Sequence, residues 1–422
     1  MEDWGSSWKI LVLSSRGEST VLAPQSSNDP INPSPRTSVR VTVAGGSIGG
    51  LAAGIALRGI GADVQVYERE PGPMRPRGAG IVVQPDLSDL LQSHGAPSLP
   101  MTGCSTRRYL NPDGSELREV AARQQFTSWE AIYRTMQAAF PGARYHMDAP
   151  VTGHESRGDG VSVSIAGRAN IEADLLVAAD GAGSSTRRAV LPQVRPRYAG
   201  YIAWRGTLAE TDAAESLVAA FEDRFTFCPA RSGGHMLVYL IPGAEAEAAP
   251  GHRRLNWVWY VSPDGGQLEQ WMTDRRGRRH EASLPAGQAS EATVSALRSR
   301  ARAEVAPLMA ELVEATPDPF IQGITDVEVE RTAFGRILLL GDAAFVVRPH
   351  TAAAAAKACF DAMTLAGALK ETRGELARAL ALTEQAQLRL GRRLVRPVQI
   401  LARRNPGFAL TPYAFSSRPN QP

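Results

Sequence analysis

The sequence predicts an α/β protein in which a three-layer, Rossmann-like domain is interleaved with a β-sheet domain, followed by C-terminal helices. Three observations predict this fold class. A strand, a glycine-rich turn, a helix and a second strand follow one another between residues 39 and 68. A β-rich stretch occupies the middle of the chain. A strand-and-helix pattern then returns after Gly335, which makes the first domain discontinuous in sequence.

Length and composition indicate a soluble globular protein with more than one core. The chain has 422 residues, of which 43% are hydrophobic and 21% charged, and a chain of this length usually divides into domains. The net charge of +3 is too small to favour nucleic acid as a partner. The basic run over residues 275–280 is typical of a solvated surface, with an anion-attracting role as the alternative.

Cysteine usage and hydropathy indicate the cellular setting. Cys104, Cys228 and Cys359 form no CxxC pair, which argues against a disulfide scaffold, a zinc site or a dithiol centre. A reducing compartment, the cytoplasm, is the simplest setting. We expect no integral membrane segment and no signal peptide, because no stretch is long and apolar enough. The isolated histidines show no ligand spacing, so no metal is assigned.

The domain limits follow from these patterns. Residues 1–39 are rich in Ser and Pro and are predicted to be a flexible tail. Residues 40–193 and 323–374 form the discontinuous Rossmann-like domain, and residues 194–322 form the β-sheet domain. Residues 375–422 form a C-terminal helical region. No internal repeat is present.

The first motif is the turn GGSIGG, which joins an alternating strand over residues 39–44 to a helix. Gly45 and Gly50 match the first and third glycines of GxGxxG, and Ser47 replaces the second. Glu68 closes the next strand. This arrangement is typical of a dinucleotide site, with the pyrophosphate at the helix N-terminus and the carboxylate on the ribose hydroxyls. A tight turn without a ligand is the alternative.

Two later apolar strands end in a carboxylate. DLLVAADG ends at Asp180-Gly181, and ILLLGD ends at Asp342. Such a carboxylate, next to bare backbone, can lie beside a cofactor, although a single strand-to-turn aspartate is as often structural. After Asp342 the chain passes through Pro349 into an alanine-rich run, which is predicted to start a helix near Ala352.

The middle of the chain is predicted to form an antiparallel or mixed sheet with flanking helices. A hairpin around NPDG is expected over residues 102–122, and YIAWRGTL, HMLVYLIPG and LNWVWYV are predicted strands, the last with its apolar residues on one face. TSWEAIYRTMQAAF is a predicted helix. One amphipathic helix is expected over residues 294–312. A final helical region over 376–404 is expected to be broken by Pro397.

Taken together, the glycine-rich turn, the DG strand and the GD strand resemble the triple signature of the single-component FAD-dependent aromatic hydroxylases. This is the p-hydroxybenzoate hydroxylase-like class of flavoprotein monooxygenases. The resemblance covers about residues 39–397. The segments GAGIVVQPD, GYIAWRG, HMLVYLIPG and GDAAFVVRPHTAAAAAKA are similar to the 2,6-dihydroxypyridine 3-hydroxylase branch. The resemblance implies that the Rossmann-like domain binds FAD and that residues 194–322 bind the substrate.

The resemblance also implies site residues. The turn and Glu68 would hold the ADP half of FAD, Arg134 the pyrophosphate and ribityl region, and Asp342 the ribityl hydroxyls, with the alanine helix pointing at the flavin ring. The implied cofactor-binding residues are Gly45, Ser47, Gly50, Glu68, Gly80, Arg134, Asp180, Gly181, Asp342, Ala354 and Ala355.

Two residues depart from the family pattern. Ser47 also occurs in the 2,6-dihydroxypyridine branch. Ala354 stands where that branch has a glycine, and if its φ is positive it adds strain of about 1 kcal/mol. A weakened flavin site is therefore an alternative for this chain.

The activity implied is hydroxylation of an electron-rich aromatic or N-heteroaromatic, hydroxypyridine-like ring, with O₂ and either NADPH or NADH, through a flavin C4a-hydroperoxide. His350 is the candidate base for the substrate hydroxyl, and Arg205 the candidate for holding an anionic substrate. A backbone-bonded histidine and an interface salt bridge are their alternatives. Tyr201, Trp204 and Tyr239 either line the pocket or belong to the core.

Other functions stay open at this point. The chain can be a tailoring hydroxylase of a larger secondary metabolite, a flavin dehydrogenase or oxidase, or a flavin-impaired, non-catalytic relative, since Rab-binding GDP-dissociation inhibitors look similar in fold. No second glycine-rich βαβ unit is present for NAD(P)H, which disfavours families with two dinucleotide folds. A homodimer is left open.

Overall fold

The computed structural model describes residues 38–72, 74 and 80–404, without the side chains of His350 and residues 397–404. The predicted tail lies outside this range except for its last two residues, and so does the end of the C-terminal region.

The described residues form eighteen strands and ten α-helices. In chain order the strands are β1 (Arg40–Ala44), β2 (Asp63–Tyr67), β3 (Gly80–Val82), β4 (Thr102–Leu110), β5 (Glu116–Ser128), β6 (Tyr145–His146), β7 (Val151–Arg157), β8 (Gly160–Ile165), β9 (Ile171–Ala173), β10 (Leu175–Ala178), β11 (Arg197–Ala209), β12 (Arg224–Pro229), β13 (His235–Ile241), β14 (Arg254–Val261), β15 (Ser283–Leu284), β16 (Phe320–Asp326), β17 (Ala333–Phe334) and β18 (Ile337–Leu339). The helices are α1 (Ile48–Gly59), α2 (Pro85–Ser93), α3 (Trp129–Ala139), α4 (Ser185–Val190), α5 (Glu215–Phe221), α6 (Gln267–Trp271), α7 (Glu291–Glu304), α8 (Pro307–Ala315), α9 (Ala354–Glu371) and α10 (Leu376–Arg404).

The predicted three-layer domain is confirmed. Its six-stranded sheet has the order β17-β18-β10-β1-β2-β6, and every pair except β17-β18 is parallel. Val41 and Val43 pack with α1, α3 and α9 on one face. On the other face, Leu176 and Ile337 pack against the small antiparallel sheet β7-β8-β9. The central strands are almost wholly apolar because both of their faces are covered.

The β-rich domain is built on a nine-stranded sheet with the order β15-β16-β11-β14-β13-β12-β4-β5-β3. The pairs are antiparallel except for β12 and β4. One face packs against α5, α7 and α8, and it carries the apolar residues of β14 that the sequence places on one face. Leu255, Trp257, Trp259 and Val261 all lie there, which confirms that prediction.

This sheet extends beyond the predicted limits of 194–322. It also contains β3, β4 and β5 from the first part of the chain, and β16 runs to Asp326. The predicted hairpin around NPDG is confirmed as β4 and β5. Sequence patterns indicate where strands occur, but they do not show that Arg224 on β12 pairs with Thr106 on β4.

Two helix predictions are corrected. The single helix expected over residues 294–312 is two helices, α7 and α8, because Pro307 lacks the N–H that a continuing helix requires and instead starts the second helix. The break expected at Pro397 is absent, since α10 continues through it to Arg404. A proline removes one helical hydrogen bond, which a long helix can tolerate. None of the helices in the described ranges combines the length and hydropathy needed to cross a bilayer.

Candidate active site

The predicted cofactor residues of the first domain meet at one edge of its sheet. Gly45 follows β1, Glu68 follows β2, Asp180 follows β10 and Asp342 follows β18. These four strands are neighbours and parallel. Their carboxyl ends therefore lie side by side, where open α/β sheets bind ligands.

The glycine-rich turn requires its first and last glycines. Gly45 has a φ of 95°, and a Cβ on it would lie 2.5 Å from the carbonyl oxygen of Ala179. A Cβ on Gly50 would lie 1.8 Å from the carbonyl oxygen of Gly45. Ser47 has a φ of −78°, so its backbone does not need glycine, and its side chain forms no capping hydrogen bond to α1. The first N–H groups of α1 are thus left for an anion such as a pyrophosphate.

Glu68 is held against this turn. Its Oε2 accepts from the backbone N–H of Gly46 at 2.6 Å, and its Oε1 accepts from Glu70 N at 3.0 Å. Each carboxylate oxygen keeps a lone pair for a ribose hydroxyl. Tyr145, which the sequence analysis did not single out, donates from its hydroxyl to the Gly46 carbonyl at 2.8 Å. Burial raises the pKa of Tyr145, so this hydroxyl stays protonated.

Asp180 has one satisfied and one unsatisfied oxygen. Its Oδ2 accepts from Thr186 N at 3.1 Å and from the Ser185 hydroxyl at 3.2 Å. Its Oδ1 is buried and has no partner in the described protein. Gly181 follows with a φ of 77°. A buried carboxylate oxygen without a donor is costly, so the site fits a ligand that donates a hydroxyl or N–H group, as the sugar hydroxyls of FAD do.

Arg187 links the loop that carries Asp180 to the loop that carries Asp342, and no sequence pattern predicted this role. Its fully buried guanidinium donates through Nη1 to the Ala343 carbonyl at 3.0 Å and through Nη2 to the Ala182 carbonyl. Burial lowers its pKa, and the carboxylates of Asp180 and Asp342 oppose that shift. A basic residue within a polar run gives no sign of burial in the sequence.

A buried ion pair on α9 holds the loop that carries Asp342. Lys357 and Asp361 lie 2.7 Å apart and are both inaccessible to solvent. Lys357 Nζ donates to the Gly341 carbonyl at 3.2 Å, and Gly341 N donates to Asp361 Oδ2 at 3.0 Å. The pair therefore binds both the backbone N–H and the backbone carbonyl of Gly341. Opposite charges four residues apart in an apolar helix were the available sequence signal.

The strain expected in the alanine-rich run is present at a different residue. Ala354 is the first residue of α9 and is not among the residues with positive φ, so the condition under which it would be strained is not met. Ala352 has the left-handed backbone, with φ 50° and ψ 24°, because it closes the 3-10 turn Pro349–Thr351 before the helix can begin. No acidic side chain or cap occupies the first turn of α9, where Ala354 and Ala355 lie.

Arg348 ties this loop to the β-rich sheet. Its Nε and Nη2 donate to the two oxygens of Asp326, at 2.8 and 2.7 Å, and the pair is buried. Its guanidinium also lies 5.6 Å from the ring centre of Tyr201. His350 belongs to the following 3-10 turn, and its side chain lies outside the described residues. The catalytic role of His350 stays a prediction.

The sheet face that Tyr201 occupies is polar as well as aromatic. Arg205 on β11 donates through Nη1 to Gln322 Oε1 at 2.9 Å, and its Nη2 lies 3.5 Å from the Gly80 carbonyl. Its Nε is buried without a partner. Gly80 belongs to β3 and donates its N–H to Asn256 Oδ1 at 2.9 Å. Arg205 is thus an inner residue of this face, and no salt bridge to it is formed among the described residues.

Tyr201 and Tyr239 lie on this face, but Trp204 does not. Residues alternate between the faces of a strand, so Trp204 points to the opposite side and packs edge-on against Trp271, with ring centres 5.9 Å apart. Of the two alternatives for Trp204, the core therefore holds and the pocket does not. Tyr260 joins the face, and burial raises its pKa to about 12. The tyrosine hydroxyls here are therefore neutral donors at physiological pH.

Arg134 lies on α3. It forms an ion pair with Glu245 at 2.8 Å, and both side chains are largely exposed. Its predicted contact with a cofactor pyrophosphate stays a prediction.

Comparison with known proteins adds three relatives and one family model. A model described as FAD binding domain-like matches residues 198–326. The chain is 36% identical over 389 residues to 2,6-dihydroxypyridine 3-monooxygenase of Paenarthrobacter nicotinovorans, which covers 88% of this chain and 96% of that protein. The solved 2,6-dihydroxypyridine-3-hydroxylase from Arthrobacter nicotinovorans superimposes with a TM-score of 0.81 at 34% identity, over 92% of this chain and 96% of that one. Klebsiella pneumoniae HpxO, solved with FAD and uric acid, shares the fold with a TM-score of 0.69 at 24% identity, over 85% and 86%.

Proposed function

The chain belongs to the FAD-dependent aromatic hydroxylases, and we propose that it uses NAD(P)H and O₂ to hydroxylate a small, electron-rich N-heteroaromatic ring of the hydroxypyridine type. The observation that carries this choice of substrate is Arg205. Its guanidinium is positioned by Gln322 on a buried face lined by tyrosines, and its Nε has no protein partner. A fixed cation on an aromatic face suits a flat ring that bears an ionised oxygen.

The residues at the strand ends fit FAD. When bound, FAD supplies the redox chemistry that lets reducing equivalents from NAD(P)H activate O₂. The ADP half would be held by the glycine-rich turn and Glu68, and the ribityl side by Asp180 and Asp342. The N-terminus of α9, which begins at Ala354, would place its positive end beside the ring system.

The protein's own contribution is to bind the ring, to exclude water and to stabilise negative charge on the ring oxygen. Arg205 would stabilise the ionised ring oxygen, which raises the electron density of the neighbouring ring carbons. Tyr239 and Tyr260 are buried and neutral, so they provide an apolar wall with hydroxyl donors. His350, if its side chain faces the ring, would accept the proton of the substrate hydroxyl.

A small ring is favoured over a larger secondary metabolite because the relative at 36% identity is a 2,6-dihydroxypyridine 3-monooxygenase. We place the enzyme in the cytoplasm because Cys104, Cys228 and Cys359 are all free thiols, which suits a reducing compartment.

The test uses the purified full-length protein. Its visible spectrum should show bound oxidised flavin, and adding 2,6-dihydroxypyridine should accelerate NADH or NADPH oxidation and place one atom of ¹⁸O₂ in the ring. Arg205→Met should raise KM for the ring by roughly 10-fold to 100-fold, the loss expected for a charge-assisted hydrogen bond. Arg300→Met is the matched control, because Arg300 pairs with Glu304 in the helix layer on the opposite face of the sheet.

Two results would contradict the proposal. A protein that stays colourless after incubation with FAD has no flavin site. A flavoprotein that oxidises NAD(P)H and forms only hydrogen peroxide with every hydroxypyridine tested is an oxidase, or it acts on another ring.

A further inference from the structure

A chain of three hydrogen bonds leads from helix α3 to the carbonyl of Gly46 in the glycine-rich turn. Gln137 Nε2 lies 3.0 Å from the Tyr133 hydroxyl, which in turn lies 3.1 Å from the Tyr145 hydroxyl. The Tyr145 hydroxyl lies 2.8 Å from the Gly46 carbonyl oxygen. Tyr133 and Gln137 are one turn apart on α3, whereas Tyr145 belongs to β6. A helix and a strand from a later part of the sequence therefore both contribute to holding this turn.

The direction of every bond in this chain is fixed by its last acceptor. A backbone carbonyl can only accept, so Tyr145 donates its single proton to Gly46. The Tyr145 oxygen can then only accept from Tyr133, and the Tyr133 oxygen can only accept from the amide of Gln137. Burial raises the pKa of Tyr145, and so does its hydrogen bond with Tyr133, so the hydroxyl keeps the proton that this direction requires.

Hydrogen bonds that all point the same way polarise one another. Tyr145 is therefore a stronger donor than an isolated tyrosine, and it polarises the peptide that joins Gly46 to Ser47. The N–H of this peptide is the first of those at the N-terminus of α1 that no helical carbonyl accepts, because helical bonding begins with Leu51 N and Ser47 O. Polarisation makes this N–H a better donor to an anion.

The other side of Gly46 is held as well. Its N–H donates to Glu68 Oε2 at 2.6 Å. A Cβ on Gly46 would lie 2.3 Å from the Tyr145 hydroxyl oxygen, so the hydroxyl packs directly against the turn with no room for a water between them. The peptides on both sides of Gly46 are thus oriented by side chains at the ends of β2 and β6.

We propose that Tyr145 is a positioning residue for FAD, because the chain that ends in its hydroxyl orients and polarises the peptide whose N–H, that of Ser47, is presented to the cofactor pyrophosphate. Ser47 stands where the dinucleotide motif has its second glycine. The inference rests on the proposed function, since it takes FAD as the cofactor. It adds the side chains that hold the glycine-rich turn ready for the pyrophosphate.

The test measures FAD binding by the flavin-free protein, with flavin fluorescence as the signal. Tyr145→Phe keeps the ring and removes the hydroxyl, and it should raise Kd for FAD roughly tenfold. Tyr133→Phe leaves Tyr145 in place and removes the donor behind it, and it should raise Kd roughly threefold. Tyr67→Phe is the matched control, because the Tyr67 ring is buried on the neighbouring strand β2 and stacks on His146. Its Kd should stay within about twofold of the wild type.

ADP and adenosine, used as competitors of FAD, distinguish positioning of the pyrophosphate from a general loosening of the turn. Adenosine has the ribose that Glu68 would hold, but it has no phosphate. A loosened turn would weaken both competitors alike, since Glu68 is bonded to Gly46. In Tyr145→Phe the inhibition constant of ADP should rise roughly tenfold, while that of adenosine should stay within about twofold of the wild type.

The outcomes separate this inference from the proposed function. Wild-type protein that binds no FAD overturns both. Wild-type protein that binds FAD, with tyrosine variants no weaker than the control or with an equal loss for ADP and adenosine, overturns the role of Tyr145 alone. The thermal midpoint of the flavin-free protein checks folding. If Tyr145→Phe does not fold, Tyr133→Phe answers the question, because a Kd for FAD equal to that of the control overturns the chain and a selective loss for ADP supports it.

Discussion

Replacing Ala352 with glycine should stabilise the protein, even though the family pattern points to Ala354 as the residue out of place. Ala352 has φ 50° and ψ 24°, a left-handed conformation that costs alanine roughly 1–2 kcal/mol. Glycine loses about 0.5–1 kcal/mol more backbone entropy on folding. The free energy of unfolding should therefore rise by about 0.5–1 kcal/mol. Ala354→Gly is the matched variant and should lower it by about 0.5 kcal/mol, because Ala354 is already helical.

The assay is urea unfolding of the FAD-free protein, followed by circular dichroism, together with a titration of FAD by flavin fluorescence. Both substitutions lie within three residues of each other, so they report on the same segment. The difference in sign between them is the expected result. If Ala354→Gly stabilises and Ala352→Gly destabilises, the left-handed residue is Ala354, and the helix begins later than the structure places it.

Three further predictions concern the strand ends and the distant basic loop. Gly50→Ala should abolish FAD binding, because its Cβ would lie 1.8 Å from the carbonyl oxygen of Gly45. Gly49→Ala is the control and should bind FAD normally in the same titration, because its Cβ would meet no atom closer than 3.4 Å. Lys357→Met should lower the free energy of unfolding by roughly 3–5 kcal/mol because it leaves Asp361 charged and buried, and Lys357→Met with Asp361→Leu should recover most of that loss in urea unfolding. The side-chain hydrogen bond with His280 lowers the pKa of Asp274 from 3.8 to about 2. Its stabilisation is therefore present above about pH 4 and lost as the pH falls to about 2. In Asp274→Asn the urea midpoint should change less with pH between about pH 4 and pH 2 than it does in the wild type. A pH dependence as steep as that of the wild type would contradict the role given to this hydrogen bond.

The cofactor edge of the site could be predicted because its signals are local. A run of apolar residues marks each buried strand, and the residue after the run is the one that reaches the edge. Gly45, Glu68, Asp180 and Asp342 were all found in this way, and parallel pairing of their strands brings them together. The glycines of the turn could also be predicted. The backbone there approaches other backbone atoms more closely than a Cβ would allow, and glycine is the residue type without a Cβ.

The substrate side could not be predicted in the same detail. The sequence marks β11 as a strand, but the phase of its alternation relative to the core decides that Arg205 and Tyr201 face the site while Trp204 faces α6. Asn256 lies in a strand whose other face is filled with tryptophans, and nothing local shows that its amide meets Gly80, which is 176 residues away in the chain.

The sequence alone therefore determined the class of fold, the order of the elements and the carboxylates at the strand ends, because hydrophobic periodicity and glycine geometry act over a few residues. Only the tertiary structure decided that β3, β4 and β5 join the β-rich sheet. It also decided that Arg187 and Lys357 are buried and hydrogen-bond to backbone carbonyls of the loops that carry Asp180 and Asp342. Those outcomes depend on pairing between distant segments and on the burial of charge against backbone carbonyls. Such interactions are settled by the packing of the whole chain and leave no periodic trace along it.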